Sequence, residues 1–168
     1  MEELIDVYDA QRKPLGFTRP RKGLKLEPGQ FMLYSLAVIT NKDGKYLITQ
    51  RSADKGWGAG WWEVTGGGVP SGQTADVSIV REIAEEVGLD ASKANPEVIY
   101  TYVNEDTESG SNYIVDIFAV HLDFEPEDIV LQVEETQDFA LVDWEDIVAL
   151  NEQGIFLHFK RIAAALGK

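Results

Sequence analysis

Gly66 to Leu89 reads GGGVPSGQTADVSIVREIAEEVGL, in which three consecutive glycines precede a segment with a helical hydrophobic period. Five apolar residues of that segment recur at spacings of three and four residues: Val77, Val80, Ile83, Ala84 and Val87. Such spacing predicts an amphipathic helix. Thr74 is suited to the N-cap of this helix, and Gly88 is suited to a left-handed turn that ends it.

Three carboxylates lie on one face of the predicted helix. Glu82 precedes Glu85 by three residues and Glu86 by four, so the three side chains share a face. Mg²⁺ and Mn²⁺ prefer oxygen ligands such as carboxylates, water and phosphate oxygens. An acidic helix face on its own is usually solvated surface. The adjacent glycine loop admits close approach of the backbone to an ion or a substrate, so a metal-dependent site for phosphate chemistry is the alternative interpretation.

The same stretch resembles the Nudix box, whose pattern is Gly, five residues, Glu, seven residues, and then Arg-Glu-apolar-any-Glu-Glu-any-Gly-apolar. Eight of the nine fixed positions match in register: Gly67, Arg81, Glu82, Ile83, Glu85, Glu86, Gly88 and Leu89. The resemblance implies the Nudix fold, an α/β/α sandwich with a mixed β-sheet between helices, in which residues 66–89 form a loop-helix-loop.

The resemblance also implies roles for the residues of the box. Glu85 and Glu86 correspond to the central ligands of a Mg²⁺ or Mn²⁺ ion, and Glu82 corresponds to a further ligand or to the general base. Arg81 corresponds to the residue that orients the glutamates by ion pairing. The backbone carbonyl of Gly66 corresponds to a nearby oxygen ligand.

Gln73 is the departure from the pattern, because the family has glutamate there. An amide oxygen can still coordinate a cation or hold a water, but it carries no charge, so one metal position is expected to bind more weakly. Two residues of the box, Gly67 and Gln73, are taken as candidates for substrate contact. Members of the family often add an acid from a late loop, and Glu135 or Glu134 could supply it here.

The rest of the chain predicts an α/β domain spanning residues 1–168, in which residues 1–30 form an N-terminal strand and arm. Alternating and helical patterns predict these elements: strands at Leu4 to Tyr8, Leu33 to Thr40 and Tyr46 to Arg51, a second hairpin of Val98 to Val103 with Tyr113 to Asp123, a strand at Phe139 to Val142, and helix from Trp144 to the end. Asp43-Gly44 predicts the turn of the first hairpin. The stretch from Asp9 to Gly29 is rich in turn residues and is read as irregular.

Other side chains near the box are candidates with two readings each. Arg51 ends a predicted strand and either donates to a substrate phosphate or forms a surface ion pair. Trp57 and Trp61, flanked by glycines, either contact the ligand, by stacking on a base or covering it, or pack in the core. Trp62 is assigned to the core. Trp61 is chosen as the substrate contact. His121 is assigned to the core or to a sheet face with its hydrogen bonds satisfied, and His158 is assigned to packing of the C-terminal helix.

Composition restricts the partners and the chemistry. The chain has 29 acidic and 15 basic residues and a formal charge of −14, so no nucleic acid polymer and no membrane is expected as a partner. The sequence shows no secretory signal pattern, so a cytoplasmic location is expected. Cysteine is absent, which excludes disulfides, thiolate metal sites and a cysteine nucleophile.

Residues 47–52, LITQRS, and 3–9, ELIDVYD, are similar to a Nudix subgroup related to isopentenyl diphosphate isomerase. Isomerase chemistry is disfavoured, because those enzymes use a cysteine and a histidine-rich metal site. The leading hypothesis is a metal-dependent hydrolase that cleaves a diphosphate linkage in a nucleoside diphosphate-linked or related organic diphosphate. The alternative is a Nudix-fold module that binds such a small molecule without cutting it. Family members are often homodimers, so either a monomer or a homodimer through the N-terminal arm is consistent with the sequence.

Overall fold

The computed structural model describes residues 2–168. Its elements are, in chain order: β1 (Leu4–Tyr8), β2 (Pro14–Pro20), β3 (Met32–Thr40), β4 (Tyr46–Arg51), β5 (Trp62–Glu63), β6 (Thr65–Gly68), α1 (Ala75–Val87), β7 (Glu97–Asn104), β8 (Tyr113–His121), a 3-10 turn (Pro126–Asp128), β9 (Thr136–Val142), α2 (Trp144–Glu152) and α3 (Phe159–Ala165).

The central sheet contains seven strands and is mixed. Its main path is β5-β4-β3-β8-β7, with β6 paired to β3 and β9 paired to β4. The β3–β8 pair is parallel, and the other pairs of this sheet are antiparallel. Strand β3 pairs with β6 over Tyr34 to Ala37 and with β4 only at Ile39 and Thr40. At Val64 the chain therefore passes from β5, which pairs with β4, to β6, which pairs with β3 and contains the three glycines.

Helices cover both faces of this sheet. One buried cluster joins α1 to the sheet through Ile79, Ile83 and Val87. A second cluster on the other face joins α2 and α3 to the sheet through Ile147 and Ile162. This arrangement confirms the predicted α/β/α sandwich. None of the helices found in residues 2–168 is long and apolar enough to cross a bilayer.

Helix α1 buries a different stripe from the one predicted. Ile79 is fully buried beside Ile83 and Val87, whereas Val77 is 55% exposed and Ala84 is also exposed. The helix packs on the face centred on its isoleucines, because these bury more apolar surface than valine and alanine would. This rotation brings Glu86 to the buried side of α1, so the three carboxylates are not equally exposed. Gly88 ends the helix with φ 72°, as predicted.

The N-terminal arm contains a strand that the sequence pattern did not predict. Strand β2 pairs antiparallel with β1, although its residues are nearly all exposed and show no alternating apolar pattern. Arg12, in the turn between them, donates to both carboxylate oxygens of Asp116 on β8, at 2.8 and 2.5 Å. Asp6 accepts hydrogen bonds from the hydroxyl of Ser71 at 2.7 Å and the backbone N–H of Gly72 at 3.0 Å. The arm is thus attached both to the sheet and to the loop before α1.

The second hairpin is present as β7 and β8, and the predicted strand near Phe139 is β9. The helical tail is divided into α2 and α3, which the sequence pattern read as one segment. Gly154, with φ 74°, lies in the break. His121 is exposed at the end of β8, where its Nδ1 lies 3.2 Å from the hydroxyl of Thr40.

Candidate active site

A cleft of about 370 Å³ lies where α1, the glycine strand β6, the end of β4 and the N-terminal arm meet. Six acidic and four basic side chains line it: Glu3, Glu63, Glu82, Glu85, Glu86, Glu135, Arg21, Arg51, Lys55 and Arg81. Tyr34 and the three glycines complete much of the remaining wall. The cleft therefore brings together carboxylates that suit a cation and guanidinium groups that suit a phosphate.

Glu82 lies against the glycine strand. Its Oε1 accepts a hydrogen bond from Nη2 of Arg81 at 3.0 Å. Burial raises the pKa of Glu82 to about 7, against the opposing effect of the Arg81 charge. A side chain at Gly67 would overlap the Glu82 carboxylate, so only glycine lets the backbone approach this group closely.

Glu86 is the most buried carboxylate of the cleft, with 8% of its surface exposed. Its Oε1 accepts a hydrogen bond from the hydroxyl of Thr49 on β4 at 3.1 Å. Burial, followed by the nearby charge of Glu63, raises its pKa to about 8. A buried carboxylate without a cationic partner is costly, so the metal-free protein favours its neutral form near pH 7.

Arg81 joins the polar residues on the exposed side of α1. Its Nη1 donates to Oε2 of Glu85 at 2.8 Å, and its Nε lies 3.5 Å from Oε1 of Gln73. Together with its bond to Glu82, these contacts connect Arg81 to three polar side chains of residues 66–89. Gln73 borders this cluster but is not among the residues that line the cleft.

On the opposite wall, Arg51 donates from Nη1 to Oε2 of Glu63 at 3.0 Å. Burial raises the pKa of Glu63, partly offset by the charge of Arg51. Lys55 forms an ion pair with Glu135, whose backbone carbonyl also accepts from the N–H of Ser52 at 3.0 Å. Glu135, rather than Glu134, is thus the late acid that lines the cleft.

A divalent cation such as Mg²⁺ needs several oxygen ligands around one point. Within residues 2–168, no three Asp, Glu or His side chains are already arranged around a common point that could hold a metal ion. The physical reason is that Arg81 draws Glu82 and Glu85 towards itself while Thr49 holds Glu86. Buried Glu86 and half-buried Glu82 nevertheless fit a cation, because their raised pKa values show that positive charge nearby would stabilise their ionised forms. The residues present therefore fit Mg²⁺ or Mn²⁺ once Arg81 releases one of its two carboxylate partners.

Arg21, Tyr34 and Glu63 are among the cleft residues that were not predicted from the sequence. Arg21 belongs to the arm and forms none of the ion pairs found in residues 2–168. Burial raises the pKa of Tyr34, which therefore remains a neutral hydroxyl among charged groups. A charged residue between Trp62 and Val64 was the one available signal for Glu63, since an acid within an apolar strand is unusual.

The two glycine-flanked tryptophans take different positions. Trp61 is 36% exposed, lies outside the lining of the cleft, and accepts a backbone hydrogen bond from Arg51 at 2.8 Å. Trp57 is 62% exposed and lies beside Arg51. The third tryptophan of this region, Trp62, packs in the second core cluster, as predicted.

Comparison with known proteins gives three informative similarities. The chain is 31% identical over 160 residues to an uncharacterized Nudix hydrolase of Listeria monocytogenes, covering 95% of this chain and 90% of that protein. It is 31% identical over 115 residues to the nucleoside triphosphatase NudI of Escherichia coli, covering 66% of this chain and 81% of NudI. The crystal structure of DR0079 from Deinococcus radiodurans matches with a TM-score of 0.73 and 18% identity over 91% of each chain, which shows the shared fold.

A model of the NUDIX domain matches residues 31–163, a span that begins just before β3 and ends in α3. The span includes the glycine strand, α1 and all of the acidic residues of the cleft except Glu3. The chain therefore belongs to the Nudix family of hydrolases.

Proposed function

We propose that this protein is a divalent-metal-dependent hydrolase that cleaves a diphosphate linkage in a nucleoside diphosphate-linked or related organic diphosphate. The observation that carries the proposal is the placement of Glu82 and Glu86 beside Gly66 and Gly67 in a cleft that also holds arginines. The name of the Escherichia coli relative, a nucleoside triphosphatase, supports a phosphoanhydride substrate attached to a nucleoside.

In this proposal, Glu82, Glu85, Glu86, Glu135 and the carbonyl of Gly66 form the ligand set for Mg²⁺ or Mn²⁺. The bound cation would supply positive charge against the phosphate oxygens and would acidify an attacking water. Glu135 must leave Lys55 to take part, and Arg81 must release one carboxylate. Each change replaces an ion pair within the protein by one with the metal ion. The side chains of Lys55 and Arg81 remain in the cleft, where their positive charges can face the substrate phosphates.

The side chains of the chain itself bind and orient the reactants. Arg21 and Arg51 both line the cleft, so they can bind a diphosphate there by charge-assisted hydrogen bonds. Glu82 is placed next to the backbone of Gly67, where it can take a proton from water. Arg81 keeps the Glu82 carboxylate in that orientation.

We also propose that residues 1–168 form one Nudix domain, although the family match begins at residue 31. The arm is attached by Arg12 to Asp116 and by Asp6 to Ser71, and it contributes Arg21 to the cleft. A cleft that takes residues from both segments would be incomplete without the arm.

The test is a phosphate-release screen with nucleoside diphosphate-linked compounds and other organic diphosphates, with and without Mg²⁺ or Mn²⁺. Glu82→Gln should lower turnover by roughly 100-fold or more, as expected for loss of a general base or metal ligand. Glu145→Gln on α2, an exposed acid outside the cleft, is the matched control and should retain activity. Metal-independent release, or full activity of Glu82→Gln, would contradict the proposal.

The second candidate is a module that binds the same class of ligand without cutting it. The observation that favours it is the contact of Gln73 and two carboxylates with Arg81, since a neutral amide replaces the family's acid in this cluster. Ligand-induced thermal stabilisation with no product at any metal concentration would select this candidate. Gln73→Glu should then restore turnover.

A further inference from the structure

Trp57 presents a large aromatic surface to solvent, with 62% of the residue exposed. Two backbone hydrogen bonds hold the loop that carries it. The N–H of Gly60 donates to the carbonyl of Arg51 at 3.1 Å, and the N–H of Trp61 donates to the carbonyl of Gly58 at 3.0 Å. The side-chain amide of Gln50 also donates to the carbonyl of Gly60 at 3.0 Å. These bonds hold the loop backbone, and the indole that the loop carries is not buried.

Arg51 connects this indole to the cleft. Its guanidinium carbon lies 5.3 Å from the centroid of the Trp57 ring, and its Nε donates to the Trp57 carbonyl at 3.1 Å. The same guanidinium donates to Glu63 inside the cleft. One side chain thus separates the exposed ring from the acidic site.

The exposure of Trp57 contrasts with the other tryptophans that pack in the core. Trp62 and Trp144 both pack against the second cluster, and Trp144 stacks on Phe159 with ring centroids 5.4 Å apart. Burying an indole removes much apolar surface from water. An exposed indole beside a residue that lines the cleft therefore leaves that stabilisation available to a ligand. Any flat aromatic group can use such a surface, because stacking does not depend on a particular hydrogen-bond pattern.

We propose that Trp57 is a substrate-binding residue that stacks on a planar aromatic group, so that the site selects diphosphates attached to a nucleoside. The inference rests on the proposed function for the position of the diphosphate in the cleft. The anionic end of such a ligand would face Arg51 and Arg21. Its neutral base would extend past Arg51 onto the ring of Trp57.

The test measures binding rather than turnover, with two probes that resist hydrolysis. These are α,β-methylene-ADP and methylenediphosphonate, which carry the same bridged diphosphate with and without a nucleoside. Removing a stacked aromatic typically costs about 5- to 100-fold in affinity for a base. Trp57→Ala should therefore weaken the nucleotide analogue by about that factor and leave methylenediphosphonate unchanged. Trp57→Phe should restore most of the loss.

Val77→Ala is the matched control, because Val77 is also exposed and apolar but lies on α1 outside the cleft. It should bind both probes as the wild type does. Tryptophan fluorescence gives an independent reading: the nucleotide analogue should quench wild-type emission, and the quench should be lost in Trp57→Phe, which still binds. This second variant keeps the test valid if Trp57→Ala fails to fold.

Equal weakening of both probes would overturn the inference, because Trp57 would then act only by positioning Arg51. Unchanged binding of both probes, or no binding of the nucleotide analogue to the wild type, would overturn it as well. Failure of the proposed function gives a different result, namely Trp57-dependent nucleotide binding without release of phosphate from any substrate.

Discussion

The hydroxyl of Thr49 on β4 donates to Oε1 of Glu86 on α1 at 3.1 Å, inside the protein. This bond connects the helix of the Nudix box to the strand that ends in Arg51. Thr49 is itself 1% exposed, so the bond is shielded from water. The Thr49 hydroxyl is the side-chain donor that the described residues provide for the Glu86 carboxylate.

Thr49→Val should therefore destabilise the protein. The substitution keeps the size of the side chain but leaves a buried acceptor without its donor, which costs about 1–3 kcal/mol. Urea unfolding in the absence of metal measures the effect. Thr18→Val, at an exposed position of β2, is the control and should change stability by less than about 0.5 kcal/mol. Equal stability of the Thr49 variant and the wild type would contradict the role given to this bond.

Stability of the metal-free protein should fall as pH rises from about 5 to 9. The pKa values of Glu82 and Glu86 in the folded state, about 7 and about 8, exceed the ordinary value of 4.5. For an acid, a raised folded-state pKa means that the folded protein binds the proton more tightly than the unfolded chain does. Stability is therefore lost as pH rises from the unfolded pKa through the folded one.

Thermal unfolding at a series of pH values tests this, and Glu86→Gln should flatten the profile. Mg²⁺ should raise the melting temperature more at pH 8.5 than at pH 6, since the cation requires ionised carboxylates. A melting temperature that rises with pH in the metal-free protein would show that other groups dominate.

Gly66→Ala should mainly lower stability, whereas Gly67→Ala should mainly weaken metal binding and turnover. A methyl group at Gly66 would overlap the backbone carbonyl of Ser35, so we expect a loss of stability of roughly 2 kcal/mol or more. A methyl group at Gly67 would meet the carboxylate of Glu82, which can rotate away, so we expect weaker metal binding and turnover with a smaller change in stability. Gly56→Ala, which faces open space, is the control for both. Unfolding curves and metal titrations of the three variants separate the two effects.

Arg12→Met should destabilise the attachment of the N-terminal arm. The substitution leaves Asp116 buried with Thr101 as its remaining donor, at 2.8 Å. Because Arg12 is itself partly exposed, the cost should be roughly 1–3 kcal/mol, below that of a fully buried pair. Adding Asp116→Asn should recover part of the loss, which a double-mutant cycle measures. Lys13→Met, at the neighbouring exposed cation, should be neutral, and an equal effect of both single substitutions would contradict a specific pair.

Much of the fold follows from local patterns. The helix of the box, its end at Gly88 and the two hairpins were predicted because short-range periodicity and turn residues determine them. Strand β2 was missed because an exposed edge strand has no buried face and so no alternation to detect. The stripe that α1 buries was misassigned because Val77 and Ile79 are both apolar but lie on different faces of the helix. Contacts with the sheet decide which of these faces is buried.

The sequence by itself determined the chemistry of the box, because Arg81, Glu82, Glu85 and Glu86 are close in the chain and a helix of fixed pitch brings them together. Only the tertiary structure decided which other groups share their cleft. Arg21 comes from the arm, Glu63 from β5 and Tyr34 from β3, so no local periodicity relates them. It also decided that Glu86 is buried while Trp57 is exposed. Burial depends on which surfaces pack against each other, a property of the assembled sheet and helices that a single segment does not carry.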